Sequence, residues 1–293
     1  MRVHLPSDSS SAAGPACLFG TAILWSFMGI LIHANSQSPL LISSITAMGM
    51  GACILLFGRP TLRINRTVIA VAFASYATGI TFSFANQLTT VGNAIVLQYT
   101  STIFVILYQA LETHSMPSLR KILSVLFAFA GMGLFFFGDL SAAGMAGNVL
   151  AIVSGATFGL CFHLNTKPTA SPMVSSLISC GFSLVPLLFL VGDLPGVAPF
   201  EWGLMLFHGL VCSGLASILY ARGIALTPAF TANLICMSEI LMAPLWSAIV
   251  FNECFTSMEL AGAAVITAVI VWNLVGDAGQ VFPASRETSE TVG

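Results

Sequence analysis

The stretch SEILMAPLWSAIVFNE, residues Ser238 to Glu253, is apolar almost throughout, yet it carries Glu239 near the middle of a longer apolar window, 229–251. A helix needs about 20 mostly apolar residues to cross a bilayer, so this window is long enough to do so. An acidic side chain at the centre of such a helix costs roughly 2.5–3.5 kcal/mol on insertion scales. That cost favours a position sheltered from lipid, a protonated state or a polar partner, and it makes Glu239 the first candidate for a functional residue.

The composition predicts the same surroundings for the rest of the chain. Of the 293 residues, 57% are hydrophobic and only 7% are charged, whereas a soluble domain has about 25% charged residues. A chain so poor in charge has no means of covering a water-facing surface, which predicts a lipid bilayer as its solvent. The net charge of −2 gives no sign of a nucleic-acid partner. Seven scattered cysteines without a C-x-x-C pair favour apolar packing over a metal site or a cofactor.

Ten apolar windows of spanning length can be marked along the chain, each ended by turn residues or charges. The segments between them, such as HANSQS and LTP, are too short for a soluble domain. The sequence therefore predicts an all-α integral membrane protein. The ten transmembrane helices are expected at 15–34, 39–58, 67–86, 92–111, 119–138, 145–163, 172–191, 202–221, 229–251 and 258–276.

The basic residues are partitioned to one side of these ten helices. With the N-terminus inside, all nine fall in the two tails, in the loops after the second, fourth, sixth and eighth helices, or at a helix end facing that side. By the positive-inside rule we expect both termini in the cytoplasm and the chain in the cell inner membrane. The start, MRVHLPSDSSSAAGPA, shows no cleavable signal, so we expect the first helix to be retained. The basic residues are Arg2, Arg59, Arg63, Arg66, Arg120, Lys121, Lys167, Arg222 and Arg286.

The two halves of the chain resemble each other at an offset of 138 residues. This offset aligns LTTVGNA (Leu88 to Ala94) with LTPAFTA (Leu226 to Ala232), and it places Gly138-Asp139 on Gly276-Asp277. Five helices per half is an odd number, which predicts two inverted five-helix repeats around a central cavity. We expect an N-terminal tail at 1–14, repeats at 15–138 and 145–276, and a C-terminal tail at 277–293.

These features resemble the drug/metabolite transporter superfamily, and specifically its EamA-type ten-helix members. The second half carries the likeness best, in ALTPAFTANL, SEILMAPLWSAIVFNE and ELAGAAVI, with Glu253 matching the acid that closes the ninth helix in the family. In the first half, AILWSF matches the Trp-bearing first helix, but Thr102 stands where the family commonly has Pro. The resemblance implies secondary transport of a small metabolite through a cavity lined by both repeats. It does not name the compound.

Helical spacing places Trp246 on the same face as Glu239, seven residues further on. A carboxylate and an aromatic plane on one stripe could hold an amine by charge pairing and ring stacking. Pro244 has no N–H, so the carbonyl of Ile240 loses its helical partner, and we expect a hinge there. Glu239 could also carry a proton, or it could serve packing alone, and the sequence leaves these alternatives open.

Other polar groups in the spans are weaker candidates for binding substrate. Gln98 and Thr102 share a face of the fourth helix, and interhelical hydrogen bonding is the alternative reading. His208 could relay protons, or it could pack against a polar neighbour. The small-residue patterns Gly155 to Gly159 and Ala47 to Gly51 serve either internal packing or a homodimer contact. The remaining candidates for the cavity lining are Tyr99, Asn93, Trp25, Ser26, Tyr76 and Ser83.

The expected function is secondary transport of a small polar metabolite, such as an amino acid or a relative, with export favoured and with the coupling ion open. No nucleotide-binding G-x-x-x-x-G-K-[ST] loop occurs in the sequence. No pair of acids lies in the spans, so no catalytic residue is expected and an embedded enzyme is disfavoured. The alternatives are import or exchange of a vitamin, a nucleoside-like compound or a metallophore, and a non-transporting scaffold or sensor. The expected partners are the substrate, the bilayer and a second copy of the chain.

Overall fold

The computed structural model describes residues 12–136, 144–242 and 256–281, and within these ranges it contains helices and no strand. Eight helices are long and apolar enough to cross a membrane. Two shorter ones end at or near the limit of a described range. The predicted all-helical, multi-span membrane fold is therefore confirmed. The helices are α1 (Ala13–Ile32), α2 (Pro39–Gly58), α3 (Arg66–Leu88), α4 (Gly92–Thr113), α5 (Leu119–Phe135), α6 (Met145–Asn165), α7 (Pro172–Leu190), α8 (Pro199–Ile224), α9 (Ala229–Met242) and α10 (Ser257–Val281).

Short polar segments begin most of these helices. Ser38, Asn65 and Ser118 each accept a hydrogen bond from the backbone N–H three residues further on, which satisfies a group that has no partner within the helix. Pro172 and Pro199 occupy the first turns of α7 and α8, where a missing N–H costs nothing. The helix starts therefore follow from local sequence. The predicted ends of the fifth and ninth helices, 138 and 251, lie outside the described residues.

Polar contacts between loops define two opposite faces of the molecule. On one face, Glu112 at the end of α4 pairs with Lys167 after α6, and Asn65 before α3 donates to the carbonyl of Thr169 at 2.7 Å. All the Lys and Arg residues of the described ranges lie on this side, which we call the basic face. On the opposite face, Gln87 of α3 donates to the carbonyl of Gln37 at 3.1 Å.

The most extensive helix contacts have equivalents when the two halves are exchanged. α3 packs against α6 and α7, and its equivalent α8 packs against α1 and α2. α4 packs against α6, as α9 packs against α1. The pairs α2–α7, α4–α9 and α5–α10 each join a helix to its own equivalent. Because five helices precede the second set of five, the two sets cross the membrane in opposite directions, as the inverted arrangement requires.

α4 and α9 are both interrupted, and the interruptions are equivalent. A turn at Tyr99 and Thr100 divides α4, and a turn at Met237 and Ser238 divides α9. These turns are 138 residues apart, the same offset that aligns the halves in sequence. Helices broken near the bilayer midplane are typical of transporter repeats.

Two glycines of α6 allow α4 to approach closely at its interruption. A Cβ added at Gly155 would lie 2.7 Å from the carbonyl oxygen of Gln98, and one at Gly159 would lie 2.8 Å from that of Ser101. Real Cβ atoms do not approach this closely, so only glycine fits. The two glycines of the G-x-x-x-G pattern in α6 thus pack against α4 of the same chain.

Candidate functional site

A cavity of about 230 Å³ lies between the two halves. Within the described residues, every helix except α5 and α10 contributes to its wall. Since each half supplies four of these helices, the cavity is central, as the inverted arrangement predicts. Of the residues singled out in the sequence, those that line the cavity are Trp25, Ser26, Tyr76, Ser83, Gln98, His208 and Glu239.

Glu239 is the one acidic side chain that the described residues contribute to this wall. It directly follows the turn at Met237 and Ser238 that interrupts α9, and its side chain is partly exposed. The carboxyl lies close to the hydroxyl of Tyr99, in the turn that interrupts α4. The acid therefore lines a cavity between the two halves and lies near a polar group, which reduces the energetic difficulty that its sequence position raises.

Five aromatic residues of the described ranges line the cavity, and three of them, Trp25, Phe158 and Tyr220, form a cluster. The ring centroid of Trp25 lies 5.5 Å from that of Phe158 and 5.7 Å from that of Tyr220. Phe158 in turn lies 6.4 Å from Tyr99, the residue whose hydroxyl lies close to Glu239. A carboxylate beside aromatic faces suits an organic ammonium group, because both attract positive charge.

The other two residues predicted near Glu239 on α9 are Trp246 and Pro244. Both lie outside the described residues.

Tyr99 and Thr102 lie at the crossing of α4 and α9, away from the cavity lining. The hydroxyl of Tyr99 donates to the carbonyl of Cys236 at 2.8 Å. The hydroxyl of Thr102 donates to Oδ1 of Asn233 at 2.7 Å, and Nδ2 of Asn233 donates to the hydroxyl of Ser101 at 3.0 Å. All of these side chains are buried, so this cluster holds the two interrupted helices together.

Gln98 and Asn93, also on α4, differ in position. Gln98 lines the cavity while its Nε2 donates to the hydroxyl of Ser154 at 2.9 Å. Asn93 lies near the opposite face, at the start of α4, where its Nδ2 donates to Oδ1 of Asn148 at 3.1 Å. Asn93 therefore joins α4 to α6 and is absent from the cavity lining.

The candidates on α1 and α3 lie in the cavity wall. The hydroxyl of Ser26 donates to the carbonyl of Ile23 at 2.6 Å, at the turn where α1 is interrupted. Tyr76 makes an edge contact with Phe182 of α7, at 6.1 Å between ring centroids. Ser83 is buried and lies seven residues, or about two helical turns, beyond Tyr76 on α3.

His208 also lies in the cavity wall, where it begins a π-helical stretch of α8, His208–Leu215. Its Nδ1 is 3.3 Å from the hydroxyl oxygen of Thr46 on α2. Single π-helical turns are frequent at functional sites because they rotate the side chains that follow.

A stripe of hydroxyl groups was not singled out in the sequence. Its members come from α2, α7 and α8, and they recur at spacings of three and four residues, which is the signal that could have found them. Among the described residues, no three His, Cys, Asp or Glu side chains come together in a group that could hold a metal ion. The hydroxyl stripe consists of Ser43, Thr46, Ser176, Ser179, Ser183, Ser213 and Ser217.

Known proteins resemble this chain in sequence and in fold. Residues 145–275 match the model of the EamA-like transporter family. An uncharacterized transporter from Archaeoglobus fulgidus is 25% identical over 229 residues, which cover 75% of this chain and 80% of the relative. A protein of known crystal structure has the same fold with a TM-score of 0.73, over 90% of this chain and 97% of that one, at 15% sequence identity. The resemblance drawn from the sequence motifs is thus confirmed over residues 145–275, which are similar to the EamA-like transporter family, a likeness that fits the drug/metabolite transporter superfamily.

Proposed function

We propose that the chain is a secondary transporter that moves a small polar metabolite bearing an amine, such as an amino acid or a related compound, across the cytoplasmic membrane. The observation that carries this proposal is the position of Glu239. It is the one acid among the described residues that line the central cavity, and aromatic rings line the same cavity. Export is the direction that the family resemblance favours.

The amine of the compound pairs with the carboxylate of Glu239 and lies against the rings of Trp25, Phe158 and Tyr220. A cation over an aromatic face gains about 2 kcal/mol or more when the site is desolvated. The hydroxyl stripe offers both donors and acceptors to the polar remainder of the compound. A cavity of about 230 Å³ suits a metabolite of modest size.

Alternating access follows from the two inverted halves, which rock against each other around a fixed central site. The interruptions of α4 and α9 support this step, because a short turn bends more readily than a continuous helix. Tyr99 forms part of the turn in α4, and Glu239 directly follows the turn in α9. A change of bend at either turn therefore alters the site itself.

Proton coupling is a refinement of the same proposal. Glu239 would release its proton when the amine binds and take up a proton when the amine leaves. One carboxyl group then serves both ligands in turn, so that the flux of one depends on the other.

We further propose that the protein lies in the inner membrane with both termini in the cytoplasm. The concentration of the described Lys and Arg residues on the basic face supports this orientation. Reporter fusions at each terminus test it. Tails found on different sides of the membrane would contradict both the orientation and the inverted arrangement.

The function is tested by comparing metabolite pools inside and outside cells that express the wild type, Glu239→Gln or Glu112→Gln. Glu112 is a matched control, because it lies on the basic face and pairs with Lys167 outside the central cavity. We expect one amine-bearing compound to move across the membrane with the wild type and with Glu112→Gln. Glu239→Gln should reduce its flux at least tenfold, about 1.4 kcal/mol, because the charge partner is lost.

Two outcomes would contradict the proposal. Equal flux with the wild type and Glu239→Gln would remove Glu239 from the mechanism. A wild type that moves no compound in proteoliposomes, with or without an imposed proton gradient, would favour the scaffold or sensor alternative.

A further inference from the structure

Two buried side-chain atoms in the cavity wall have no hydrogen-bond partner among the described residues. They are Nε2 of His208 and Oδ1 of Asn165. A buried polar atom without a partner costs about 1–3 kcal/mol, and native proteins retain few of them. Because both residues line the cavity, a compound bound there can supply the missing partner.

The contact with Thr46 is compatible with the tautomer of His208 in which the Thr46 hydroxyl is the donor and the ring accepts. A hydroxyl can donate to the imidazole Nδ1, which lies 3.3 Å away. A neutral ring that accepts at Nδ1 carries its proton on Nε2, because the two nitrogens divide the roles of donor and acceptor. The unpartnered atom of His208 is then an N–H donor.

The backbone holds this imidazole in place. A Cβ added at Gly209 would lie 2.5 Å from the carbonyl oxygen of Thr46 and 3.0 Å from Cα of Gly49, so α8 is pressed against α2 next to His208. The side chain of His208 is only 4% exposed. A donor with so little freedom of movement is suited to discriminate between ligands, because its side chain loses little conformational entropy when a ligand binds.

His163 shows the contrasting case of a histidine with a structural partner. Its Nε2 lies 3.2 Å from a carboxylate oxygen of Glu112 on the basic face, and it is absent from the lining of the central cavity. His208 has no such partner for Nε2 among the described residues.

We infer that His208 donates a hydrogen bond from Nε2 to an acceptor oxygen of the transported compound. The inference rests on the proposed function and narrows its substrate. The compound carries an acceptor oxygen, such as a carboxylate or carbonyl oxygen, in addition to its amine. His208 then selects against amines that lack this oxygen.

The test measures binding of paired probes to the purified full-length protein in lipid nanodiscs. The pairs are the standard amino acids and the amines that remain when the carboxylate is removed. We expect the wild type to bind at least one amino acid on the order of tenfold more tightly than its amine.

His208→Phe should lose this difference and keep its affinity for the amine. His208→Gln should recover part of it, because the amide nitrogen reaches the position of Nε2. His163→Phe should behave as the wild type.

A second measurement is independent of the amine site. In protein labelled with ¹⁵N-histidine, acetate should shift the Nε2 resonance of His208 in the wild type and in Glu239→Gln. No shift with acetate in either protein, or an unchanged amino acid preference in His208→Phe, would overturn the inference. Failure of Glu239→Gln to weaken amine binding would instead overturn the proposed amine site and leave the acceptor site of His208 standing.

Discussion

The hydroxyl of Tyr99 donates a hydrogen bond to the carbonyl of Cys236, across 2.8 Å. Tyr99 lies in the turn that interrupts α4, and Cys236 is the last residue before the turn that interrupts α9. An interruption frees backbone groups from their helical partners, and lipid offers none in exchange. One interrupted helix thus satisfies the backbone of the other, next to the only acid that the described residues place in the cavity wall.

Tyr99→Phe removes this donor and leaves the ring in place. The carbonyl of Cys236 then loses the partner that the hydroxyl supplies, which should lower the free energy of unfolding by about 1–3 kcal/mol. Thermal unfolding of the purified protein measures this change. Tyr108→Phe is a suitable control, because its hydroxyl donates to the carbonyl of Ala156, which lies within the continuous helix α6. An equal loss in both variants would contradict a special role for Tyr99.

The close approach of α6 to the interruption of α4 gives a prediction with an internal control. In Gly155→Ala the new Cβ would lie 2.4 Å from the hydroxyl of Thr100 and 2.7 Å from the carbonyl of Gln98. Such overpacking typically costs about 1–3 kcal/mol. At Gly133 of α5 a Cβ would meet nothing within 4 Å, so Gly133→Ala should be neutral or stabilising by about 0.5–1 kcal/mol.

The melting temperatures of the two alanine variants measure this difference. Flux should also fall in Gly155→Ala, because displacement of Gln98 changes the cavity wall. If Gly155→Ala were as stable as Gly133→Ala, the packing of α6 against the interruption would not be the reason for its glycine.

The sequence predicted most of the fold, because each helix is encoded locally. Apolar windows of spanning length, caps such as Ser38 and Asn65, and the proline at the start of α7 mark where helices begin. The inverted arrangement follows from an odd number of helices per half. The turn at Tyr99 and Thr100 was not predictable in this way, since neither residue is a glycine or a proline. It depends on contacts with α6 and α9, which lie far away in the sequence.

That turn also explains where the site was predicted less well. Gln98 and Thr102 are four residues apart and would share a face of a continuous helix. The turn between them changes the register, so that Gln98 lines the cavity and Thr102 binds Asn233. Glu239, Trp25 and His208 could be found from sequence, because an ionisable or aromatic group is conspicuous in an apolar helix. The serines of α2 and α7 are less conspicuous, and their spacing of three and four residues becomes informative only when the helices are placed around the cavity.

The loop between α1 and α2 depends on one carboxylate. Glu201, at the start of α8, accepts hydrogen bonds from the backbone N–H of Ser36 at 3.0 Å, from its hydroxyl at 2.6 Å and from Nε2 of Gln37 at 2.7 Å. Glu201→Ala removes all three, so the N–H of Ser36 should exchange with solvent on the order of tenfold faster. Hydrogen exchange with mass spectrometry measures this.

Glu259→Ala provides the control for the loop. Glu259 accepts from the backbone N–H and hydroxyl of Thr256 at the start of α10, also on the opposite face. Within the part of the chain that the structure describes, Glu259 makes no hydrogen bond or ion pair with the α1–α2 loop, so exchange at Ser36 should stay at the wild-type rate. A rise of equal size in both variants would mean that loss of any acid on this face loosens the loop.

The cluster of Trp25, Phe158 and Tyr220 in the cavity wall allows a quantitative prediction for the binding of an amine. Trp25 lies against both Phe158 and Tyr220 in the cavity wall. Trp25→Leu should therefore weaken binding of the transported amine by roughly 2- to 30-fold, the range expected from about 0.5–2 kcal/mol of cation–ring attraction. Trp25→Phe should restore part of the affinity, because it restores an aromatic face.

Trp202→Leu serves as the control, since Trp202 is partly buried against the core but does not line the cavity. Equilibrium binding in nanodiscs distinguishes the three variants. If Trp25→Leu and Trp202→Leu bound the amine equally well, the ring at position 25 would serve packing, and recognition of the amine would rest on Glu239 alone.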